Sequence, residues 1–235
     1  MLLASDGDRL GMLKPQNTSS APFVIAVTGH RDLRPQDLDA LRHEVRAVLD
    51  GLRSHMPGAT LLLLSGLAEG ADQLVAEVAL ERGVLLTAVL PMPLEVYRIQ
   101  MKEEAQQKLD KLIGLSAEII TLAPEHWTPE QIQTSKDAQA ACYETLARFL
   151  VWHCQALIAL WDGMQSDKPG GTCRVVRYAR AGTSPGSAEQ VDSRCAVVYH
   201  VLTPRTSVQG TSDEVKTVTL TCGPRRVAAS QGTRD

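Results

Sequence analysis

Apolar positions along this chain follow two alternating periodicities. Short continuous apolar runs occur at Val24–Thr28, Thr60–Leu64, Leu85–Leu90, Ile119–Leu122, Ala156–Leu160 and Ala196–Leu202. Most of these runs do not alternate with polar residues, as a strand buried on both faces requires. Between them the apolar residues recur every third or fourth position. Gln36–Leu52 places Leu38, Leu41, Val45, Val48 and Leu52 on one helical face, and Ala71–Arg82 does so with Ala71, Leu74, Val75, Val78 and Ala79. Ala138–His153 repeats the pattern with Cys142, Leu146, Phe149 and Leu150. Lys102–Leu115 is a further amphipathic segment, more charged and expected at the periphery. β-rich runs alternating with helices predict an α/β, Rossmann-like, doubly wound and mainly parallel sheet with helices on both faces.

The same pattern divides the chain. Residues 1–21 are polar and rich in Gly, Ser, Asn and Pro, and read as a disordered leader. Residues 22–205 carry the Rossmann-like domain. After Gly182 the periodicity loosens, and Thr183–Arg194 reads as a surface loop. Residues 206–235 form a C-terminal extension in which Val215–Thr221 alternates like an edge strand before a frayed tail.

Composition narrows the class. With 44% hydrophobic and 22% charged residues, the chain has the makings of an ordinary folded core. A net charge of −3 supplies no global attraction to nucleic acid or anionic lipid. The five cysteines are irregularly spaced and include no Cys-x-x-Cys pair, so neither a disulfide framework nor a zinc site is indicated. No apolar stretch approaches the ~18–20 residues needed to span a bilayer. The start is acidic where a secretory signal would be cationic. A cytoplasmic protein without membrane partners is expected.

Ligands of a doubly wound sheet sit beyond the carboxyl ends of its strands, so the turns there are where chemistry is sought. The first is Thr28-Gly29-His30-Arg31-Asp32. Gly29 permits a sharp exit, and Arg31 is a forked donor for phosphate or carboxylate; a solvated Arg31–Asp32 pair before a helix is the alternative. The second is Ser65-Gly66-Leu67-Ala68-Glu69-Gly70-Ala71-Asp72. Two glycines ahead of a helix N-terminus suit an anion, unless the turn is only a tight connection capped by Ser65 or Asp72. The third is Pro91-Met92-Pro93 with Tyr97, which either stacks over the crevice or packs in the core, the latter favoured. The fourth is Trp161-Asp162-Gly163 followed by Pro169-Gly170-Gly171-Thr172, where Asp162 can accept ribose hydroxyls or cap a turn. The Gly-x-Gly-x-x-Gly and Gly-x-x-x-x-Gly-Lys-Ser/Thr motifs are missing, and no Gly-x-Ser-x-Gly elbow follows one of the strand runs, which excludes standard dinucleotide, P-loop and α/β-hydrolase readings.

These residues resemble those of the SLOG superfamily, which joins the DNA-processing protein A (Smf) group to the LOG phosphoribohydrolases. Ser65-Gly66-Leu67-Ala68-Glu69-Gly70-Ala71-Asp72 is similar to the Ser-Gly-Leu-Ala-x-Gly-x-Asp of the DNA-processing proteins. Thr28-Gly29-His30-Arg31 and Leu90-Pro91-Met92-Pro93 with Tyr97 resemble small bacterial members, including the YpsA-like group. Ala159-Leu160-Trp161-Asp162-Gly163 with Gly170-Gly171-Thr172 resembles the second glycine motif. The resemblance implies a Rossmann-like sheet that binds nucleotides or nucleic acid at Ser65–Gly66 and Gly170–Thr172. The LOG branch carries a glutamate three residues beyond the motif's threonine, for cleavage of an N-glycosidic bond; here that position is Val175. Glu69 and Asp162 are the weak catalytic candidates in its place. The DNA-processing branch binds single strands, for which an acidic chain with two Phe, four Tyr and three Trp is poorly equipped.

The resulting expectation is a sensor or regulatory module that binds a small phosphorylated nucleoside or dinucleotide. Single-stranded DNA binding or phosphoribohydrolase activity are the alternatives. The expected ligand-binding set is Gly29, His30, Arg31, Ser65, Gly66, Glu69, Gly70, Asp72, Pro91, Tyr97, Asp162, Gly170, Gly171 and Thr172. No protein-bound metal is expected, although a divalent ion can accompany the phosphates, and a homo-oligomer is compatible with the sequence.

Overall fold

The computed structural model describes residues 21–122, 126–181, 196–207 and 215–220. Residues 1–20 of the expected leader, the 183–194 loop and the tail from residue 221 lie outside the described residues. Seven strands make one sheet: β1 Phe23–Gly29, β2 Leu61–Ser65, β3 Leu85–Leu90, β4 Glu118–Thr121, β5 Ala156–Trp161, β6 Val197–Leu202 and β7 Lys216–Leu220, in the order β4-β3-β2-β1-β5-β6-β7. All neighbours are parallel except β7, which runs antiparallel to β6 at the edge. This is the expected Rossmann-like, doubly wound arrangement. The order runs one way from β1 to β4 and the other way through β5 and β6, so the topological switch lies between β1 and β5.

The helices are α1 Leu38–His55, α2 Ala71–Glu81, α3 Leu94–Arg98, α4 Glu103–Leu115, α5 Pro129–Thr134, α6 Lys136–His153 and α7 Thr172–Ala181. Successive strand residues point to opposite faces, and β1 shows why both faces are apolar. Ile25 and Val27 join the cluster built with Leu41, Val45 and Leu49 of α1 and Val75 and Val78 of α2. Ala26, between them, joins the opposite cluster, with Leu146 and Leu150 of α6 and Val175 and Val176 of α7. A strand facing two cores cannot alternate with polar residues, hence the continuous runs.

Three elements differ from the sequence expectation. α4 is not peripheral: Leu109 and Leu112 are 0% and 1% exposed, sealed in the core with α2. The short helices α3 and α5 were not anticipated, because five or six residues are too few to show a 3.6-residue period. α5 is nevertheless signalled by chemistry. Thr128 and Gln131 form a reciprocal capping box, and Pro129 occupies the first turn, where its missing N–H is not needed.

Candidate functional site

A cleft of about 960 Å³ opens at the carboxyl ends of β1 and β5, at the switch point. Its walls are the turn Gly29–Asp32 after β1, the side chains of Lys136 and Tyr143 on α6, the loop from Trp161 to Thr172, and Arg205 after β6. Sheet register makes the site compact. Gly29 pairs with Leu160, so the residues that follow each strand, His30 and Asp162, meet at the same end.

The Asp162 side chain is only 1% exposed. Its Oδ1 accepts a hydrogen bond from the Met164 N–H at 2.9 Å and lies 3.1 Å from His30 Nε2. That imidazole nitrogen also receives the Asp162 backbone N–H at 3.1 Å. The backbone N–H calls for an unprotonated Nε2 and the carboxylate for a protonated one, and a neutral imidazole can meet either. Burial favours the neutral form, pushing the imidazole pKa below its ordinary value despite the nearby Asp162 carboxylate. Asp162 Oδ2 has no hydrogen-bond partner among the described residues. It faces Arg205 Nη1 at 3.7 Å, an ion pair too long to be a hydrogen bond. Arg205 is held in turn by Asp32, whose carboxylate takes its Nε at 3.0 and 3.2 Å. Burial pushes Asp32 upward, but the Ser207 hydroxyl and Arg205 outweigh it and hold its pKa below the usual carboxylate value. A backbone bridge between Leu33 and Arg205 fixes this strap across the turn.

The turn Ser65–Asp72 meets the cleft through Ala68 and Asp72, and three of its N–H groups are bound within the protein. The Leu67 N–H goes to Ser65 Oγ, Ala68 N–H to Asp72 Oδ2, and Ala71 N–H to the His30 carbonyl. The glycines are explained by packing. A Cβ on Gly70 would stand 2.5 Å from the Arg31 carbonyl oxygen, and one on Gly29 2.3 Å from Ala71 Cβ. Gly70 also has φ +88°, which glycine adopts without strain. Ser65, Gly66, Glu69, Gly70 and Pro91 do not line the cleft, and Glu69 instead pairs with Lys102 at 3.4 Å. The Leu67, Ala68 and Ala71 N–H groups are thus engaged within the protein, and of this turn Ala68 and Asp72 line the cleft.

Asp72 does reach the cleft wall. Burial raises its pKa from 3.8 to about 7, outweighing the Ala68 N–H and the Arg31 charge that act the other way. Tyr97 is fully buried, donates to the Gly66 carbonyl at 2.9 Å, and contributes to the cleft floor as a packed side chain, not a stacking platform. Its phenol is pushed well above its ordinary pKa by burial. Above it, Arg31 Nη2 donates to Tyr143 Oη at 2.9 Å, and that hydroxyl donates to Gln100 at 2.8 Å.

The last wall is the loop ahead of α7. Gly170 has φ +63° and sits so close to α6 that a Cβ would stand 2.5 Å from Tyr143 Cβ. Its N–H is taken by Glu144 at 3.2 Å. Gly171 N–H closes on the Lys168 carbonyl, while Thr172 and Cys173 open the helix, where backbone N–H groups have no intrahelical acceptor. Val175, at the position where the LOG enzymes carry a glutamate, is buried in α7. Gly29, His30, Arg31, Asp72, Tyr97, Asp162, Gly170, Gly171 and Thr172 are thus brought together around one cleft. Tyr143, Lys136, Lys168 and Arg205 join them, and no local pattern along the chain signals these four. His153, exposed and stacked on Phe149, and His126, also exposed, take no part. Among the described residues no group of His, Cys, Asp and Glu is placed to hold a metal ion, and no helix is long and apolar enough to cross a membrane.

No family model matches the chain, and no curated protein matches its sequence. Among solved structures it is similar to DNA processing protein A (DprA) from Streptococcus pneumoniae, with 20% identity and a TM-score of 0.47, over 82% of this chain and 54% of that one. It is also similar to DNA processing protein A from Helicobacter pylori, described for its single-stranded DNA binding mode, with 16% identity and a TM-score of 0.41, over 68% of this chain and 61% of that one. The chain accordingly spans between about half and three-fifths of the length of these structures.

Proposed function

We propose that the switch-point cleft binds a small phosphorylated nucleoside or dinucleotide, and that the protein acts as a nucleotide-responsive binding module. The observation that carries this reading is the distribution of charge around the cleft. Arg31, Lys136 and Lys168 line it without a salt bridge among the described residues, near the N–H groups at the start of α7. The nearly buried Asp162 carboxylate lies in the same cleft. Cations and a helix N-terminus suit a phosphate, and a buried acceptor suits a sugar hydroxyl. Nucleotides combine the two groups at that scale.

The test is a thermal-denaturation screen against nucleotides, ADP-ribose, NAD and oligonucleotides. Binding by a nucleotide should raise the transition temperature of the wild type, and the rise should shrink at least severalfold in Arg31→Met and Lys168→Met. Both side chains line the cleft away from the core, so the variants should fold normally. Stabilisation of all three proteins to the same extent would overturn the reading. An oligonucleotide response that falls steeply with salt would favour single-stranded DNA instead. Release of free base from nucleoside monophosphates would favour the hydrolase.

A further inference from the structure

Asp162 Oδ2 is enclosed, ion-paired, and lacks a hydrogen bond among the described residues. The cleft offers an explanation in the group directly opposite. Arg205 Nη1 stands 3.7 Å away, neither bonded to the oxygen nor far enough to admit another atom between them. Oδ2 is sealed from solvent, and the Arg205 side chain that faces it is itself 32% exposed. Arg205 is anchored through Nε to Asp32, and because its guanidinium is a rigid plane, Nη1 leaves Asp162 only when the whole group shifts against Asp32. The other carboxylate oxygen is already engaged by Met164 N–H. His30 Nε2 lies against the Asp162 N–H and the other carboxylate oxygen, Oδ1, each at 3.1 Å.

A group entering between Oδ2 and Nη1 must donate to the first and accept from the second. A phosphate oxygen would meet the Asp162 charge, an ammonium would meet the Arg205 charge, and an apolar group would leave the carboxylate unsatisfied. An alcohol does both with one oxygen. We infer that Asp162 and Arg205 form a hydroxyl-specific subsite with Arg205 as its movable cover, so the bound molecule carries a free sugar hydroxyl at this end. This rests on the nucleotide reading above and adds to it the class of sugar: a ribonucleotide with unblocked hydroxyls is accepted, and a dideoxynucleotide is refused. Arg205 and Asp32 thereby become specificity residues, Arg205 by contact and Asp32 by positioning it.

The experiment measures calorimetric affinities of AMP, GMP, CMP and UMP and of their 2′,3′-dideoxy counterparts. These are compared in the wild type, Asp162→Asn and Arg205→Met. The wild type should bind at least one ribonucleotide, and bind its dideoxy counterpart about ten- to a hundredfold more weakly, as loss of a hydrogen bond to a charged group implies. In both variants that ratio should collapse toward one while binding through the phosphate persists. Equal affinity of the wild type for ribo- and dideoxynucleotides would overturn the hydroxyl subsite and leave the nucleotide reading standing. Binding of none of the eight compounds would overturn both. A ratio that survives unchanged in the two variants, with their unfolding transitions intact, would place the discrimination elsewhere and overturn the assignment.

Discussion

Asp72 shows how one residue's surroundings set its chemistry. Its carboxyl lies under the Arg31 turn, beside Gly66 and the buried Tyr97, and burial lifts its pKa from 3.8 to about 7. Between those values the folded protein holds a proton that the unfolded chain has released, so stability falls as pH rises across the interval and levels off above about 7. The full shift corresponds to up to ~4 kcal/mol. Asp72→Asn keeps the shape and the acceptor for the Ala68 N–H but cannot ionise. Urea unfolding should show the wild type losing stability between pH 5 and pH 8 relative to this variant, which should be the more stable at pH 8. Parallel pH profiles for the two proteins would contradict it. Sequence order made His30, Arg31 and Asp162 legible, because each directly follows a strand. It could not disclose Tyr143 or Arg205, which reach Arg31 and Asp32 from 112 and 173 positions away. Nor could it tell that the glycines of the second turn serve backbone packing, since a tight contact and an anion cradle call for the same residue.

Among the elements, the strands were the easiest to read. Their continuous apolar runs follow directly from facing two cores, and β3 coincides with the expected Leu85–Leu90. Boundaries elsewhere moved by about a residue, as at β2, where the leading Thr60 gives way to Ser65 at the end. α4 misled because its exposed side is heavily charged, with Lys, Glu and Gln around a narrow stripe formed by Ala105, Leu109 and Leu112. That stripe is a core element, and a mutation can show it. Leu109→Ala should cost about 2–5 kcal/mol, against under about 0.5 kcal/mol for a substitution at the exposed Lys111. Chemical denaturation measures both, and equal effects would return α4 to the periphery. Leu67 poses the opposite problem. It holds φ +53° while its side chain is fully buried, so the turn carries backbone strain of about 1–3 kcal/mol that the packing of that leucine offsets.

The whole molecule places its chemistry by topology. Because strand order reverses between β1 and β5, the helices that follow them lie on opposite faces, and the gap between the two turns is the cleft. The sequence predicted that class of sheet from its alternating periods. It could not specify which of the four post-strand turns would share a wall. The register of β1 with β5 decides this by bringing His30 to Asp162 and leaving Ser65–Gly66 behind the wall.

The strap from Arg205 to Asp32 has a kinetic consequence. These residues are 173 positions apart, so the rim closes only after nearly the whole sheet has assembled, at the far end of the search for non-local contacts. A nucleotide that needs this rim has nothing to bind in the folding transition state if the strap forms after it. Stopped-flow measurements with and without nucleotide should then give the same refolding rate and a slower unfolding rate. A nucleotide that accelerates refolding would mean that the rim forms early, ahead of the sheet it closes.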